Sequence, residues 1–112
     1  MPRATTTSDV FNAIAEPRRR QIIEVLAQHG SQPVGTLVTR LGLPQPTVSK
    51  HLGVLRTVGV VAVHKQGKQR VYNLEAAKLK CVYDWVGAFE SLWDHQLGRV
   101  KERAERRARE QS

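Results

Sequence analysis

Cysteine is nearly absent from this chain of 112 residues, where Cys81 supplies the single thiol. One cysteine can form neither an internal disulfide nor a multi-cysteine zinc cluster within one chain. Long apolar runs are absent too: no stretch of about 18 such residues occurs, and the N-terminal sequence MPRATTTSD lacks the apolar centre of a signal peptide. These absences predict a cytoplasmic protein that does not span a membrane.

Aromatic and acidic residues are also few. Two Phe, two Trp and two Tyr leave a modest, largely aliphatic core, which fits one small domain. The 18 Lys and Arg outnumber the 10 Asp and Glu and give a formal net charge of +8. Such a charge attracts a polyanion, with nucleic acid as the leading candidate and an anionic membrane surface as the alternative. Gly-rich phosphate loops, G-x-S-x-G turns and paired carboxylates in an apolar setting are missing, so the sequence does not indicate an enzyme.

The middle of the chain carries two short amphipathic patterns separated by a tight turn. The first places apolar residues at i, i+3, i+4 and i+7: Val34, Leu37, Val38 and Leu41. Gly42 and Pro44 end that helix, because glycine accepts a left-handed cap and proline does not continue a helix. A second apolar stripe follows, with Val48, Leu52 and Leu55. Two short helices joined in this way predict a helix-turn-helix, whose second helix enters the major groove of DNA.

The second helix of this motif carries the candidate DNA-reading residues. At about 100° per residue, Lys50 points away from the apolar direction, and its neighbours flank it. Gln45 lies in the first turn, where side chains and free N–H groups meet bases and phosphates. His51 lies only about 60° from the core direction, which favours a packed or hydrogen-bonded histidine over a base contact. The candidate set is Gln45, Thr47, Ser49, Lys50 and His51.

After this motif the apolar spacing changes to two, which is the period of a strand. Val61 and Val63 form one alternating run, and a second run containing Val71 follows a break at Gln66-Gly67-Lys68. The pattern predicts a β-hairpin with a basic tip. A hairpin that is merely solvated is the alternative. The candidate DNA-contacting residues of the hairpin are His64, Lys65, Lys68 and Arg70.

The last third of the chain contains no proline and returns to helical spacing, which predicts one long helix or more. Its apolar stripe is longer than a domain of this size covers with its own residues, so we expect part of it to pack on a second copy. The first helix is the natural neighbour in that interface, and ordinary packing within one chain is the alternative. The candidate dimer-interface residues are Phe11, Ile14, Leu79, Val82, Val86, Phe89, Trp93 and Leu97.

Near the N-terminus two helices meet at Glu16-Pro17, since proline suits the first position of a helix. Ser8 or Asp9 is the predicted cap of the first helix. The first turn of the second helix is basic, either as a solvated turn or in contact with phosphate or a carboxylate. Its three arginines are Arg18, Arg19 and Arg20.

Three separated segments, FNAIAEPRRRQIIEVL, PTVSKHLGVLRTVGVV and QGKQRVYNL, resemble the ArsR-type winged helix-turn-helix transcription regulators of bacteria. The resemblance covers roughly residues 8–100. The segment YDWVGAFESLWDHQLGRVKE is similar to the branch of the family without an evident metal site. The resemblance implies that the first and last helices form the dimer interface, and that at least one of the three arginines is structural.

The resemblance also bears on metals. Metal-sensing members carry a cysteine motif in the third helix, where this chain has Gly35, Thr36, Val38 and Thr39. Asp84 and His95 lie on the C-terminal helix, where some members bind zinc, but the remaining ligands of that pattern are missing. We therefore predict neither a metal site nor a cofactor. Pro44 and Pro46 replace the Ser or Thr frequent in the family, which puts a side-chain cap in doubt.

The sequence thus predicts a mainly α chain with a small β-hairpin, folded as a single homodimeric winged helix-turn-helix domain. Its predicted parts are a flexible N-terminus (1–7), the first two helices (8–29), the helix-turn-helix (33–58), the wing (60–74) and a C-terminal dimerisation helix or helices (75–109). We expect it to repress transcription by binding double-stranded DNA at a palindromic operator, without a membrane partner. The alternatives are an effector- or redox-responsive sensor of the same fold and a protein-interaction module without specific DNA binding.

Overall fold

The computed structural model describes the backbone of residues 6–111 and the side chains of residues 6–98 and 103–109. The helices are α1 (Thr7–Ile14), α2 (Pro17–His29), α3 (Val34–Leu41), α4 (Gln45–Thr57), α5 (Lys80–Gly87) and α6 (Glu90–Gln111). The strands are β1 (Gln32–Pro33), β2 (Val61–Gln66) and β3 (Gln69–Leu74), and a short 3₁₀ helix spans Ala76–Leu79. The described chain is mainly helical with one small antiparallel sheet, as predicted. It divides after Lys80 into two compact units.

The cap of α1 differs from the prediction. Thr6, rather than Ser8 or Asp9, is the N-cap, and its hydroxyl oxygen accepts a hydrogen bond from the backbone N–H of Asp9 (3.3 Å). The Asp9 carboxylate accepts one in return from the backbone N–H of Thr6 (2.8 Å). This reciprocal pair satisfies two N–H groups that have no partner within the helix. Residues 1–5 of the predicted flexible terminus lie outside the described residues.

The junction between α1 and α2 is held by side chains of α2's first turn. Pro17 occupies that turn, as predicted, and Glu16 caps it by accepting hydrogen bonds from the backbone N–H groups of Arg18 (2.7 Å) and Arg19 (3.2 Å). Burial acts to raise the pKa of the Glu16 carboxyl, but these two N–H groups lower it below its ordinary value. The cap therefore favours the ionised carboxylate.

Two of the three arginines also hold this junction. The Arg19 Nε donates to the carbonyl oxygen of Ala13, and the Arg20 Nη1 donates to those of Ile14 (2.8 Å) and Ala15 (3.1 Å). The last carbonyls of a helix have no partner within it, so these guanidinium groups satisfy the end of α1. The expectation that at least one arginine is structural is confirmed.

The core of the first unit collects the apolar faces of α1 to α4 and the sheet. Gly42 ends α3 in the left-handed conformation (φ 65°), so α4 turns back to pack on α3 and α2. Burial of these aliphatic side chains is the main force holding the helix-turn-helix together. The fully buried residues of the core are Ile22, Leu37, Leu52, Leu55, Val48 and Val60.

The sheet has the order β1-β3-β2, and its first strand was not predicted. Gln32 and Pro33 pair with Tyr72 and Val71 of β3, whereas the sequence pattern predicted only the two-stranded hairpin. Proline is tolerated in β1 because it is an edge strand. The pairing places the first turn of α3 beside the hairpin formed by β2 and β3.

The second unit contains α5 and α6, with an interruption rather than one continuous helix. The chain turns at Ala88 and Phe89, whose backbone N–H groups donate to the carbonyls of Trp85 (3.2 Å) and Val86 (3.0 Å). These bonds to the third residue back tighten the chain just after Gly87, a weak helix former. Within the described residues, no helix combines the length and apolarity needed to cross a membrane.

Candidate nucleic-acid interface

Helix α4 presents a polar face to the solvent and an apolar face to the core. Gln45, Ser49 and Lys50 are exposed, and Thr47 is half-buried, whereas Val48, Leu52 and Leu55 are fully buried. The predicted direction of this face therefore agrees with the structure. Within the described residues, none of the side-chain hydrogen bonds involves Gln45, Thr47, Ser49 or Lys50. Their polar groups are available to an external partner.

His51 does not belong to this face. Its side chain is 7% exposed, and its Nδ1 atom is buried without a hydrogen-bond partner among the described residues. The packed histidine that the helical wheel favoured is the observed one, so His51 is not a candidate for a base contact. Burial lowers the pKa of His51 below its ordinary value; the Glu16 carboxylate acts against this shift, and Arg19, Arg18 and Lys50 reinforce it.

This burial predicts a pH-dependent stability. In the unfolded chain His51 binds a proton as the pH falls through about 6.5, whereas in the folded chain it binds that proton only at a lower pH. The free energy of unfolding should therefore decrease as the pH is lowered from about 7.5 to about 5.5, since the unfolded state binds more protons in that interval. Denaturant titrations of wild type and His51→Leu at fixed protein concentration would measure this, and the variant should show a smaller decrease. His95→Leu, at an exposed position, keeps His51 and should keep the wild-type slope; equal slopes in all three proteins would contradict the assignment.

The start of α4 is built around two prolines. Pro44 is the N-cap without a side-chain cap, and Pro46 lies in the first turn. Because proline has no N–H group, only Gln45 and Thr47 contribute unsatisfied donors among the first four residues of this helix. The missing cap therefore costs less than it would elsewhere. The two remaining N–H groups lie at the positive end of the helix dipole, where they favour a phosphate.

The β2–β3 hairpin carries unpaired positive charge. Its loop is Gly67-Lys68, one residue shorter than predicted, since Gln66 pairs with Gln69. Gly67 has φ 65°. Among the described residues only glycines have a positive φ, so Lys68 does not have one. This combination fits a two-residue hairpin loop with glycine in its first position. Lys65 lies directly opposite Arg70 across the ladder. Like charges in that position destabilise a hairpin by a few tenths of a kcal/mol, roughly, unless an anion lies between them.

His64 is held within the hairpin. Its Nδ1 lies 3.1 Å from the Oδ1 of Asn73, and the Asn73 amide donates to the Glu75 carboxylate (2.9 Å). These bonds tie the ring to the central strand β3. Lys65, Lys68 and Arg70 form no ion pair or side-chain hydrogen bond among the described residues. Lys65, Lys68 and Arg70 are therefore the unpaired cations of the hairpin. His64 lies beside them, but its ring is bonded to Asn73.

A cavity of about 410 Å³, which no local sequence pattern indicates, lies between α3 and the hairpin. Pro33, Val34, Gly35 and Thr36 line one side and Gln69 and Arg70 the other. The cavity exists because β1 pairs with β3 and holds the first turn of α3 against the hairpin. Thr36 and Arg70 thus line opposite sides of one recess beside the basic tip.

Comparison with known proteins places this geometry in a family. The profile of bacterial regulatory proteins of the arsR family matches residues 16–63. An HTH-type transcriptional regulator of Methanocaldococcus jannaschii is 32% identical over 80 residues, covering 71% of this chain and 90% of that protein. The chain belongs to the ArsR family. It is accordingly a transcriptional regulator with a winged helix-turn-helix, in which the β2–β3 hairpin is the wing.

Two further relatives of this ArsR-family regulator are a named repressor and a solved homodimeric domain. The transcriptional repressor SdpR of Bacillus subtilis is 29% identical over 90 residues, covering 80% of this chain and 99% of SdpR. A winged helix-turn-helix DNA-binding domain from Mycobacterium bovis, described as homodimeric, has a TM-score of 0.61 and 31% identity. That match covers 77% of this chain and 81% of the solved domain.

Charge divides unevenly along the regulator. Residues 1–80 contain 12 of the 18 Lys and Arg and four of the ten Asp and Glu, so they account for the whole net charge of +8. Residues 81–112 contain six of each sign and are neutral overall. The excess positive charge therefore belongs to the unit that contains α4 and the wing, where it favours a polyanion.

The predicted dimer-interface residues lie outside the buried core. In α1, Val10 and Ala13 are buried, while Phe11 and Ile14 are half-buried on the other faces. In the second unit Trp93 remains 43% exposed and Leu97 67% exposed. Three further apolar side chains of that unit, which are not among the candidate interface residues, are also exposed: Tyr83, Trp85 and Leu92. Several exposed large apolar side chains on one unit are typical of a protein-interaction surface.

The residues considered as metal ligands do not form a cluster among the described residues. Among the residues that the structure describes, no three His, Cys, Asp or Glu side chains form a group that could hold a metal ion. Asp84 on α5 and His95 on α6 are both exposed. Cys81 is half-buried at the start of α5.

Proposed function

We propose that this ArsR-family regulator is a homodimeric repressor that binds a palindromic operator. Helix α4 enters the major groove with Gln45, Thr47, Ser49 and Lys50, and the wing lies on the adjacent phosphates or minor groove. Two observations together carry the proposal. The exposed polar side chains of α4 form no hydrogen bonds among the described residues, and three cations of the wing have no ion-pair partner there. Phosphate contacts then position the domain, and base contacts select the sequence.

Repression by occlusion needs nothing beyond tight binding at a promoter. A dimer on the operator covers DNA that RNA polymerase requires, so no surface for recruiting the polymerase is needed. The relative SdpR, which covers most of this chain, is a repressor. That relationship supports the same direction of regulation here.

Dimerisation is the second part of the proposal. The half-buried residues of α1 and the exposed stripe of α5 and α6 would cover their counterparts on a second copy. An apolar surface that includes Phe89, Trp93 and Leu97 is costly to leave in water, and the related Mycobacterium bovis domain is homodimeric. A two-fold pair repeats every contact, so the two α4 helices read two inverted half-sites.

A protein-interaction module of the same fold is less well supported. Such a module gains nothing from placing Lys65 opposite Arg70, an arrangement that destabilises the hairpin in the absence of an anion. It also has no need for a unit that holds the whole net positive charge.

Selection of bound fragments from the parent genome would test the proposal. One inverted-repeat sequence should be enriched, and transcription in vitro from a promoter that contains it should fall when the protein is added. Enrichment without sequence preference would contradict operator recognition, and increased transcription would contradict repression.

The wing predicts a salt-dependent effect. Lys68→Ala or Arg70→Ala should weaken binding to operator and random DNA alike, because phosphate contacts carry no sequence information. Each substitution should lower the magnitude of the slope of log K against log salt by about 0.9 for every phosphate that the wing no longer neutralises. Fluorescence anisotropy from about 50 to 200 mM salt covers the range in which such interactions are strongly screened.

Arg107→Ala is the matched control, since it removes an exposed cation of α6. It should leave the slope at the wild-type value. If both wing variants also keep that slope, the wing does not touch DNA.

A further inference from the structure

Three polar side chains of the wing form a hydrogen-bonded network, Glu75–Asn73–His64. The Glu75 carboxylate accepts a hydrogen bond from the Asn73 amide nitrogen (2.9 Å), and the Asn73 Oδ1 lies 3.1 Å from the His64 Nδ1. Glu75 is itself anchored, because its backbone N–H donates to the carbonyl of the buried Val60 (2.8 Å) and its own carbonyl accepts from the N–H of Lys78 (3.0 Å). The network therefore has an anchored end at Glu75 and an exposed end at His64.

The chemistry of these groups fixes the direction of each bond. An ionised carboxylate only accepts hydrogen bonds, so Asn73 turns its NH₂ group to Glu75 and its carbonyl oxygen to His64. That oxygen also only accepts, so the proton of a neutral His64 ring lies on Nδ1. The other ring nitrogen, Nε2, takes part in none of the hydrogen bonds between described residues. It carries a lone pair in the neutral ring and an N–H group in the protonated ring.

The strand register places this network on one face of the wing. Side chains alternate between the two faces of a ladder, and directly opposed residues share a face. Lys65 and Arg70 are opposed and lie on one face, whereas His64 and Asn73 lie on the other. The remaining ladder residues of the His64 face are uncharged: Ala62, Gln66, Gln69 and Val71. His64 is therefore the ladder position of this face that gains a positive charge by protonation.

The titratable and charged groups packed around His64 are mostly cationic. They belong to the wing itself and to helix α4, which packs on β2. Those of the wing are Lys65, Lys68, Arg70, Tyr72 and Glu75, and those of α4 are Lys50, His51 and Arg56. Glu75 is the one carboxylate among them, and it reaches the ring through Asn73.

Glu75 is also one of only four acidic residues in the DNA-facing unit, residues 1–80. Two of the others, Asp9 and Glu16, hold the N-termini of helices. A carboxylate beside the wing repels the phosphates of DNA, so Glu75 favours binding only through the side chains that it orients.

We infer that Asn73 and Glu75 are positioning residues for His64, and that the protonated Nε2–H of His64 donates a hydrogen bond to a phosphate of the operator. The proton comes from solvent, so operator binding takes up a proton at each wing that makes this contact. A neutral ring turns a lone pair towards the phosphate and makes no such bond. The inference rests on the proposed operator binding and adds to it a dependence on pH.

The tautomer of His64 can be measured without DNA. Long-range ¹H–¹⁵N NMR spectra of the free protein at about pH 8, where histidine side chains are typically neutral, should show the proton on Nδ1. Asn73→Ala and Glu75→Ala should each reduce this preference. Glu75→Gln should restore it, because its amide oxygen still accepts a hydrogen bond from Asn73. A wild-type proton on Nε2 would contradict the inference, and a tautomer that survives either alanine substitution would remove that residue from the positioning role.

Operator affinity should be measured by fluorescence anisotropy between about pH 8 and about pH 6, the interval in which histidine side chains change charge. Over this interval the wild-type affinity should increase more than that of His64→Ala, by about tenfold for each wing that gains a charged hydrogen bond. At the upper end the two proteins should bind alike. The slope of log K against log salt should be steeper at the lower pH, by about 0.9 for each additional phosphate. His51 is present in both proteins, so its titration cancels in the comparison.

Two substitutions at histidines complete this comparison. His64→Lys supplies a permanent cation, so it should bind more tightly than the wild type at about pH 8 and lose the gain at lower pH. His29→Ala is the matched control, since it removes another exposed histidine of the same unit. It should keep the wild-type dependence on pH.

The positioning residues should follow the same pattern. Asn73→Ala and Glu75→Ala should reduce the gain in affinity at low pH, whereas Glu75→Gln should retain most of it. Equal gains in wild type and His64→Ala would overturn the inference and leave operator binding intact. Absence of specific binding at both ends of the pH range would instead contradict the proposed function and with it the phosphate contact, while the tautomer measurement still decides how His64 is held.

Discussion

Replacement of Trp93 by glutamate should convert the dimer into a monomer and abolish tight operator binding, although Trp93 lies outside the DNA-facing unit. Buried aromatic anchors of interfaces typically contribute about 2–4 kcal/mol, and a carboxylate in their place adds the cost of burying a charge. Two linked half-sites bind far more tightly than one, so loss of the dimer removes most of the affinity. Sedimentation at micromolar concentration, together with operator titration, measures both effects.

Ser91→Glu is the matched control for this substitution. It introduces the same charge on α6, about 160° around the helix from Trp93 at about 100° per residue. It should remain dimeric and bind the operator normally. A wild-type protein that sediments as a monomer and still protects one half-site with full affinity would contradict the proposed assembly.

Lys50→Ala should weaken operator binding by about 1–3 kcal/mol and relax the preference at one base pair. The reason is the position of Lys50, which is exposed at the centre of the free face of α4. Competitive titration against operators substituted at single positions would identify the base pair. Binding to random DNA should change much less.

Arg56→Ala provides the comparison within the same helix, because Arg56 is an exposed cation in its last turn. It should leave the base preference intact. If Lys50→Ala weakens operator and random DNA to the same extent, Lys50 contacts a phosphate rather than a base.

The sequence predicted the helix-turn-helix closely because its local signals agree. Apolar spacing, the left-handed Gly42 and Pro44 all define the end of α3 and the start of α4, and Val34–Leu41 is the observed third helix. The exposed side chains of α4 followed from the same helical wheel. His51 lay between the two faces, and only packing shows that its ring is buried.

Features that depend on distant partners could not be predicted. Strand β1 contains two residues, and the pairing of Gln32 with Tyr72 joins positions forty residues apart without a local pattern. The cavity beside Arg70 depends on that pairing. Arg19 and Arg20 were recognised as a basic turn, but their bonds to carbonyls of α1 require the angle between two helices.

The C-terminal region shows the limit of periodicity alone. Apolar spacing runs through residues 79–97 without a break, yet the chain turns at Ala88 and Phe89. The turn brings the rings of Trp85 and Phe89 to a centroid distance of 5.4 Å at 74°, and those of Phe89 and Trp93 to 6.5 Å at 24°. Aromatic contacts of this kind add stability beyond simple burial.

Hydroxyl-radical footprinting of the selected operator, at a measured ratio of protein to DNA, tests the central claim most directly. The proposed dimer predicts two chains per operator and two inverted protected half-sites, with centres separated by about 10–10.5 bp or a multiple of that spacing. Protection of a single half-site by one chain at full affinity, or uniform protection without a preferred sequence, would contradict it.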